Sequence, residues 1–477
     1  MRFSMKIRIG LIIISIWFLL TPSFSPGVTR ENKDPGSPAG PAMEEPPMVV
    51  ETARGIMILD ELPNGTRILV IEIPSSPVVY GMISVEVGGR YESEQNAGIS
   101  HLLEHLLLRE VDGSSPLTTI RETGGSVNAV TDMELTSYYF TVLPEHFSKS
   151  MDALTTIVHN PQFTEEDLEG EREIVLEELA LGRNDPRAMV LTQLVKQIFP
   201  GSPLTSFVIG TKQSISSITF ADVRDFYHTY YSPANMTVIA AGRCNAFETL
   251  RELRALYSTG EVRPVPSVQF EVPEPALNTL MKKIPIKQSF FIYGFLTPGK
   301  NDDDFFAMEV FDILFASGVH SRLHRRIVTE SGYTEQLYPN WYAYSNTGIW
   351  AVFLSVDPDD MDAVRSLIQD EMDALKRGMF SLTEFEAAKR ALIARVKLNL
   401  DRPEDLAWFQ LENLTYRNRI LTVSEYVQAL ENVQKEDVMR IGRVYFSDEK
   451  TVTIEMRPAR GPERLFLILK YLTTKSL

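Results

Sequence analysis

The sequence predicts an α+β protein built from two similar α/β-sandwich halves in tandem. Three observations predict this fold class. At 477 residues the chain exceeds the size at which a single hydrophobic core keeps growing. Strand-like and helix-like apolar patterns alternate along it. The order of those patterns in the first half then returns in the second half.

The first half opens with a predicted β-hairpin. Two apolar runs within residues 55–72 flank Asn64-Gly65, a dipeptide typical of a tight hairpin turn. The later patterns predict a strand over 79–87, a helix over about 97–109, a strand around 126–142, and helices over 147–158 and 164–181. Strands and helices are therefore mixed within one half.

The second half repeats short segments of the first. The strand ending at Val142 and a following Met-Asp-Ala-Leu are echoed by a strand ending at Val356 and a following Met-Asp-Ala-Val. The segment starting at Phe163 is echoed at Phe380, and the two echoes have nearly the same offset along the chain. These offsets predict homologous halves over 49–262 and 263–460, joined near 262–267. The alternative is that unrelated α+β domains share generic patterns.

The N-terminal segment predicts export. Residues 1–25 combine basic residues, an apolar run over 9–20 and small residues, as in a signal peptide. An uncleaved membrane anchor is the alternative, although the run is short for a spanning helix. Residues 26–48 are rich in Pro and Gly and predict a flexible tether. Residues 461–477 form a C-terminal tail. The body is expected to be periplasmic or extracellular.

Composition excludes some classes of function. The net charge of −16 argues against a nucleic-acid partner, because phosphate binding requires a basic surface. The single cysteine, Cys244, excludes both an intramolecular disulfide and a thiolate zinc cluster.

One motif carries chemistry, His101-Leu-Leu-Glu-His105. Histidines four residues apart on a helix project from the same face, so both rings can bind one ion, and this geometry suits zinc. Glu104 can place a carboxylate over water beside the metal. A catalytic zinc needs a third protein ligand. The alternative is a buried helix that carries two structural histidines.

At this motif the sequence resembles the inverzincins, the pitrilysin and insulysin family that includes mitochondrial processing peptidase. In the family, the motif is followed further along the chain by a helix reading E-x-x-x-x-x-x-E, which contains a glutamate ligand. The number of residues between the motif and this helix is matched in this sequence. Glu171 and Glu178 occupy its two glutamate positions. The resemblance implies one Zn²⁺ per chain on His101, His105 and Glu178, with Glu171 beside the histidine helix as a catalytic carboxylate. Glu173 and Glu177 do not fit the spacing.

The resemblance also implies the fold, the reaction and the substrate contacts. The two halves would form half of a clam-shell chamber in which Glu104 activates a zinc-bound water to hydrolyse unfolded peptides or oligopeptides. Residues 124–131 are similar to the family's edge strand, where a substrate peptide adds as a β-strand. Asn128 and Ala129 are the substrate-binding residues that this match implies.

The second half departs from the zinc pattern. Alignment of the two halves places Val310 and Leu314 opposite the histidines and Arg395 opposite Glu178. This half therefore resembles the inactive half of the family's members.

The family's inactive half supplies an arginine and a tyrosine that grip the substrate. Here Val328 and Glu335 occupy those two positions. One interpretation is a local shift that brings in substitutes from Arg325, Arg326, Tyr333 and Tyr338. The other, which we favour, is a heterodimer in which a homologous non-catalytic subunit supplies the pair. The alternative to an enzyme is a structural or peptide-binding subunit on the same fold.

Overall fold

The computed structural model describes residues 46–109, 115–182, 185–205, 207–266, 268, 270–276, 279–284, 286–447, 450–459 and 461–462. The predicted signal peptide, most of the predicted tether and nearly all of the predicted tail lie outside these ranges. No helix within them is both long and apolar enough to span a membrane.

The first half contains a seven-stranded mixed sheet. Its strands are β1 Met48–Thr52, β2 Gly55–Glu61, β3 Arg67–Glu72, β4 Val79–Val85, β5 Ser126–Thr131, β6 Thr136–Val142 and β7 Met236–Gly242. Their order is β1-β2-β3-β7-β4-β6-β5, with only β3 and β7 parallel. The β2–β3 pairing confirms the predicted hairpin at Asn64-Gly65.

The second half contains a five-stranded sheet. Its strands are β8 Thr279–Ile284, β9 Ser289–Thr297, β10 Leu337–Ala343, β11 Gly348–Val356 and β12 Thr451–Pro458. Their order is β10-β11-β9-β12-β8, with β8 and β12 parallel and the other pairs antiparallel.

Fourteen α-helices surround the two sheets in the described residues. They are α1 Ile99–Leu108, α2 Pro116–Glu122, α3 Phe147–His159, α4 Glu165–Gly182, α5 Pro186–Ile198, α6 Lys212–Ser217, α7 Phe220–Tyr230, α8 Ala246–Tyr257, α9 Phe305–Phe315, α10 Met361–Lys376, α11 Leu382–Asn399, α12 Pro403–Arg417, α13 Val423–Asn432 and α14 Lys435–Tyr445. A π-helix spans His324–Glu330, and short 3-10 helices include Gly89–Tyr91.

The two halves share one topology, which confirms the predicted fold. The order β3-β7-β4-β6-β5 in the first sheet corresponds strand by strand, with the same directions, to β8-β12-β9-β11-β10 in the second. The segments that echo each other in sequence fall on equivalent elements, namely β6 with β11, α3 with α10, and the start of α4 with that of α11. The repeat in the sequence therefore reflects a repeated fold.

One predicted element is wrong. The strand predicted around 126–142 is two strands, β5 and β6, joined by a turn over residues 132–135. The Asp132 carboxylate accepts hydrogen bonds from the backbone N–H groups of Glu134 and Leu135, at 2.7 and 2.6 Å. The turn is built on an Asp side chain and contains no glycine, so the sequence lacks the Gly-containing pattern from which a turn between two strands is usually predicted.

Each half supplies a helix to the other half's sheet. Helix α5 packs against β9 and β12, where Leu194 lies over Gly294 so closely that a Cβ there would stand 2.8 Å from the leucine. Helix α12 packs against β4 and β7 of the first sheet. The largest hydrophobic core accordingly contains residues of both halves, including Met82 and Phe409. The halves form one packed unit.

Candidate metal centre and active site

Helix α1 is fixed by its apolar face and by a carboxylate from the loop that precedes it. Its leucines 102, 103, 106 and 107 are buried in the core of the first half. At its N-terminus Gly98 has a φ of 96°, which glycine adopts without strain. The two oxygens of buried Glu92 accept hydrogen bonds from the N–H groups of Gly98 and Ser100, at 2.7 and 2.8 Å. A carboxylate at this end is favoured by the helix dipole.

Helix α4 lies antiparallel to α1 and is joined to it by polar contacts. Arg109 pairs with Asp167 at 2.5 Å, and His105 Nδ1 lies 3.2 Å from a Glu171 oxygen. Further along α4, one Glu178 oxygen lies 3.7 Å from His105 Nε2. Contacts therefore follow one face of α4 from residue 167 to residue 178.

The structure brings His101, His105 and Glu178 together. Glu178 Oε2 lies 4.0 Å from His101 Nε2, and the three donor atoms all lie within 4.8 Å of one another. Ligand atoms around a tetrahedral zinc ion stand about 3.3 Å apart, so small side-chain movements would close this set on one ion. Two imidazoles and a carboxylate are also a known catalytic zinc set. Within the described ranges it is the only group of three His, Cys, Asp or Glu side chains placed to share an ion.

Burial and neighbouring charges perturb these three groups. Burial and the adjacent His105 lower the pKa of His101 to about 3, so its ring is neutral, as a metal ligand must be. Burial acts to lower the pKa of His105, but the neighbouring carboxylates outweigh it and that pKa is raised. Burial raises the pKa of Glu178.

Glu104 lies buried on α1 and is held by β5. The hydroxyl of Thr131, the last residue of β5, donates a hydrogen bond to Glu104 Oε2. Burial raises the pKa of Glu104, and the Thr131 hydrogen bond partly offsets this effect. The carboxylate thus has a defined orientation beside the histidines.

Strand β5 is an edge strand, since it pairs with β6 alone among the described strands. Asn128 is exposed, whereas Ala129 is buried against the core of the first half. Because α1 packs against β5, the free edge of this strand lies on the same side of the half as the histidine helix.

The candidate substrate-gripping residues of the second half are engaged in other contacts. Arg325 pairs with Glu384 at 3.6 Å, and Arg326 pairs with Glu371 at 3.2 Å. Tyr338 packs on Phe353 beneath the Arg187 guanidinium, and Tyr333 packs on the shared core. A local shift would have to break these contacts.

Comparison with known proteins assigns the chain to a family. Residues 67–212 match the insulinase family (peptidase family M16), and residues 217–392 match the peptidase M16 inactive domain. This chain belongs to peptidase family M16. The resemblance drawn from the zinc motif is therefore confirmed, and the assignment supports a zinc-dependent metallopeptidase.

Several known proteins are similar to this chain over most of its length. It is 23% identical over 394 residues to the uncharacterized zinc protease YmxG of Bacillus subtilis, covering 82% of this chain and 96% of that one. It is 26% identical over 407 residues to the probable mitochondrial-processing peptidase subunit beta of Arabidopsis thaliana, covering 81% and 76%. A Helicobacter pylori protease of known structure shares the fold, with a TM-score of 0.79, 20% identity, and coverage of 84% and 99%.

Proposed function

We propose that this M16 chain is a zinc endopeptidase that hydrolyses unfolded peptides or oligopeptides. His101, His105 and Glu178 would hold one zinc ion per chain, and Glu104 would act as the general base. The observation that carries the proposal is the convergence of these three donor groups beside a buried, oriented carboxylate.

The residues divide the chemistry between them. Bound zinc would polarise the scissile carbonyl and make water more acidic. Glu104 takes a proton from the attacking water and delivers it to the leaving amine. Thr131 holds one oxygen of that carboxylate. Glu171 orients the His105 ring through Nδ1, as carboxylates beside metal-binding histidines do.

The substrate is expected to bind as an added strand on β5. An extended peptide can pair with the free backbone of an edge strand, and Asn128 and Ala129 lie in the middle of it. Most backbone groups of a folded protein are already hydrogen-bonded within that protein, so unfolded segments are the expected substrates.

The chain is further proposed to act with a homologous non-catalytic subunit. Arg325 and Arg326 are held in ion pairs. This favours a substrate-gripping Arg/Tyr pair supplied by the partner over one formed by a local shift within this chain. A relative named as a beta subunit of a processing peptidase is consistent with this arrangement. Full activity of the purified monomer would contradict it. Export of the body, predicted from residues 1–25, stays a proposal.

Removal of zinc should abolish hydrolysis of an unstructured peptide, and its return should restore it. Mass spectrometry of the intact protein, with any partner subunit still bound, should find one zinc for each copy of this chain. A structural subunit would contain no zinc, and a peptide-binding module would bind peptide equally well after chelation. Hydrolysis that is insensitive to chelation would overturn the proposal.

Replacing Glu171 with glutamine should weaken zinc binding by about 10–100-fold, because the charge that fixes the His105 ring is lost. Competition with a chromophoric chelator measures this affinity. Glu173→Gln is the matched control, since Glu173 is exposed on the same helix. Equal zinc affinity of the two variants would show that Glu171 does not support the metal site.

A further inference from the structure

A buried arginine joins the two halves close to the active site. Arg90 is only 2% exposed. Its guanidinium donates to Glu134 at 2.5 Å in the first half, and to Ser345 Oγ at 3.1 Å and Asn346 Oδ1 at 2.5 Å in the second. The guanidinium also stacks 3.9 Å from the ring of Phe270, in the segment that connects the halves. Its side chain therefore ties the first half to the second.

Glu134 receives a matching set of bonds from the second half. The backbone N–H of Ser345 donates to its carboxylate at 2.9 Å, and the Ser345 hydroxyl donates at 2.6 Å. Ser345 and Asn346 lie in the turn between β10 and β11. We call Arg90, Glu134, Ser345 and Asn346 the junction.

The junction touches both segments that position the catalytic groups. Glu134 lies in the β5–β6 turn, three residues after Thr131, whose hydroxyl holds Glu104. The backbone N–H of Arg90 donates to Met133 in the same turn at 2.7 Å. Two residues after Arg90, Glu92 caps the helix that carries the histidines. A shift of this turn would therefore move Thr131, and a shift of the Arg90 segment would move the start of α1.

We infer that Ser345 and Asn346 of the second half are positioning residues for Glu104. Ser345 acts on Glu134 directly and Asn346 acts on it through Arg90, and Glu134 lies in the turn that follows Thr131. The inference rests on the proposed peptidase function. It gives the second half a role within its own chain that is separate from any substrate grip. The side chains of these two residues bond to the first half at the junction and lie outside the zinc ligand set. Their effect should therefore fall on the rate of the chemical step.

A second contact between the halves provides the control. Arg54, in the β1–β2 turn, donates to the backbone carbonyls of Leu400 and Asp401 at 2.8 and 2.5 Å. This contact lies at the opposite edge of the first sheet from β5. Arg54→Ala therefore removes polar contacts between the halves without touching the β5–β6 turn.

The test compares the double variant Ser345→Ala/Asn346→Ala with Arg54→Ala in the full zinc-loaded chain. For the double variant kcat should fall about tenfold with KM changed less than about twofold, because small displacements of a catalytic group are costly. Hydrogen exchange should accelerate at the backbone amides of residues 126–142. Arg54→Ala should leave kcat and this exchange as in the wild type.

Two outcomes would overturn the inference. One is unchanged exchange over 126–142 in the double variant, a result that does not depend on peptidase activity. The other is an equal loss of kcat in both variants, which would show that any loosening of the halves suffices. Failure of the proposed function is distinguishable, because it would appear as absent zinc-dependent turnover in the wild type.

Discussion

Replacing Glu104 with glutamine is expected to lower kcat/KM for peptide hydrolysis by about 1,000-fold while the protein keeps its zinc. A general base contributes about 10²–10⁴-fold to such a reaction, and an amide cannot accept the proton from water. The substitution preserves shape, and the Thr131 hydroxyl can still donate to the amide oxygen. The loss should therefore report proton transfer and not misfolding.

The measurement pairs turnover of an unstructured peptide with zinc content. The wild type and Glu104→Gln should hold equal zinc, because Glu104 is not one of the three converging donors. Turnover near the wild-type rate would remove Glu104 from the mechanism. Loss of zinc together with activity would instead place this carboxylate among the metal ligands.

Local spacing and the family resemblance together predict the parts of the site that lie on two helices. The four-residue interval between His101 and His105 defines one helix face. Glu178 on the facing helix follows from the resemblance and not from spacing alone. The ion pair between Arg109 and Asp167 could have been predicted from spacing as well. Arg109 lies four residues after His105, and Asp167 lies four residues before Glu171. On two antiparallel helices, a contact between His105 and Glu171 therefore implies one between Arg109 and Asp167.

Contacts that depend on tertiary packing could not be predicted in this way. Glu92 lies in a loop nine residues before His101, and no periodicity links it to the N-terminus of α1. The bond from Thr131 to Glu104 depends on how β5 packs against that helix. The junction depends on a turn in the other half of the chain, far from Glu134 in sequence. Such contacts follow from the fold and not from the local pattern.

The second half shows what takes the place of the histidine helix. Every residue of α9, the counterpart of α1, is buried. Its two carboxylates have protein partners, since Asp312 accepts from Trp350 Nε1 at 2.7 Å and Glu309 from the Tyr426 hydroxyl at 2.5 Å. Burial raises the pKa of both carboxyl groups. A helix enclosed in this way can stabilise a core but cannot present ligands to an ion and a substrate.

Replacing Glu178 with glutamine is expected to weaken zinc binding by more than about 100-fold. A carboxylate that orients a ligand already contributes about 10–100-fold, and loss of a direct anionic ligand should cost more. Glu177→Gln is the matched control, because Glu177 is the adjacent residue, is exposed and is outside the converging set. Its zinc affinity should equal that of the wild type.

Thermal unfolding gives an independent measure of the same loss. At a fixed excess of zinc, a ligand bound only to the folded state stabilises it by RT ln(1 + [L]/Kd). A 100-fold weaker site therefore loses about 2.7 kcal/mol of zinc-dependent stabilisation. Glu178→Gln should show a much smaller zinc-induced rise in Tm than Glu177→Gln, while the two variants unfold alike without zinc. If zinc raised the Tm of both variants equally, the third ligand would have to be sought elsewhere, and Glu171 would be the first candidate because of its contact with His105.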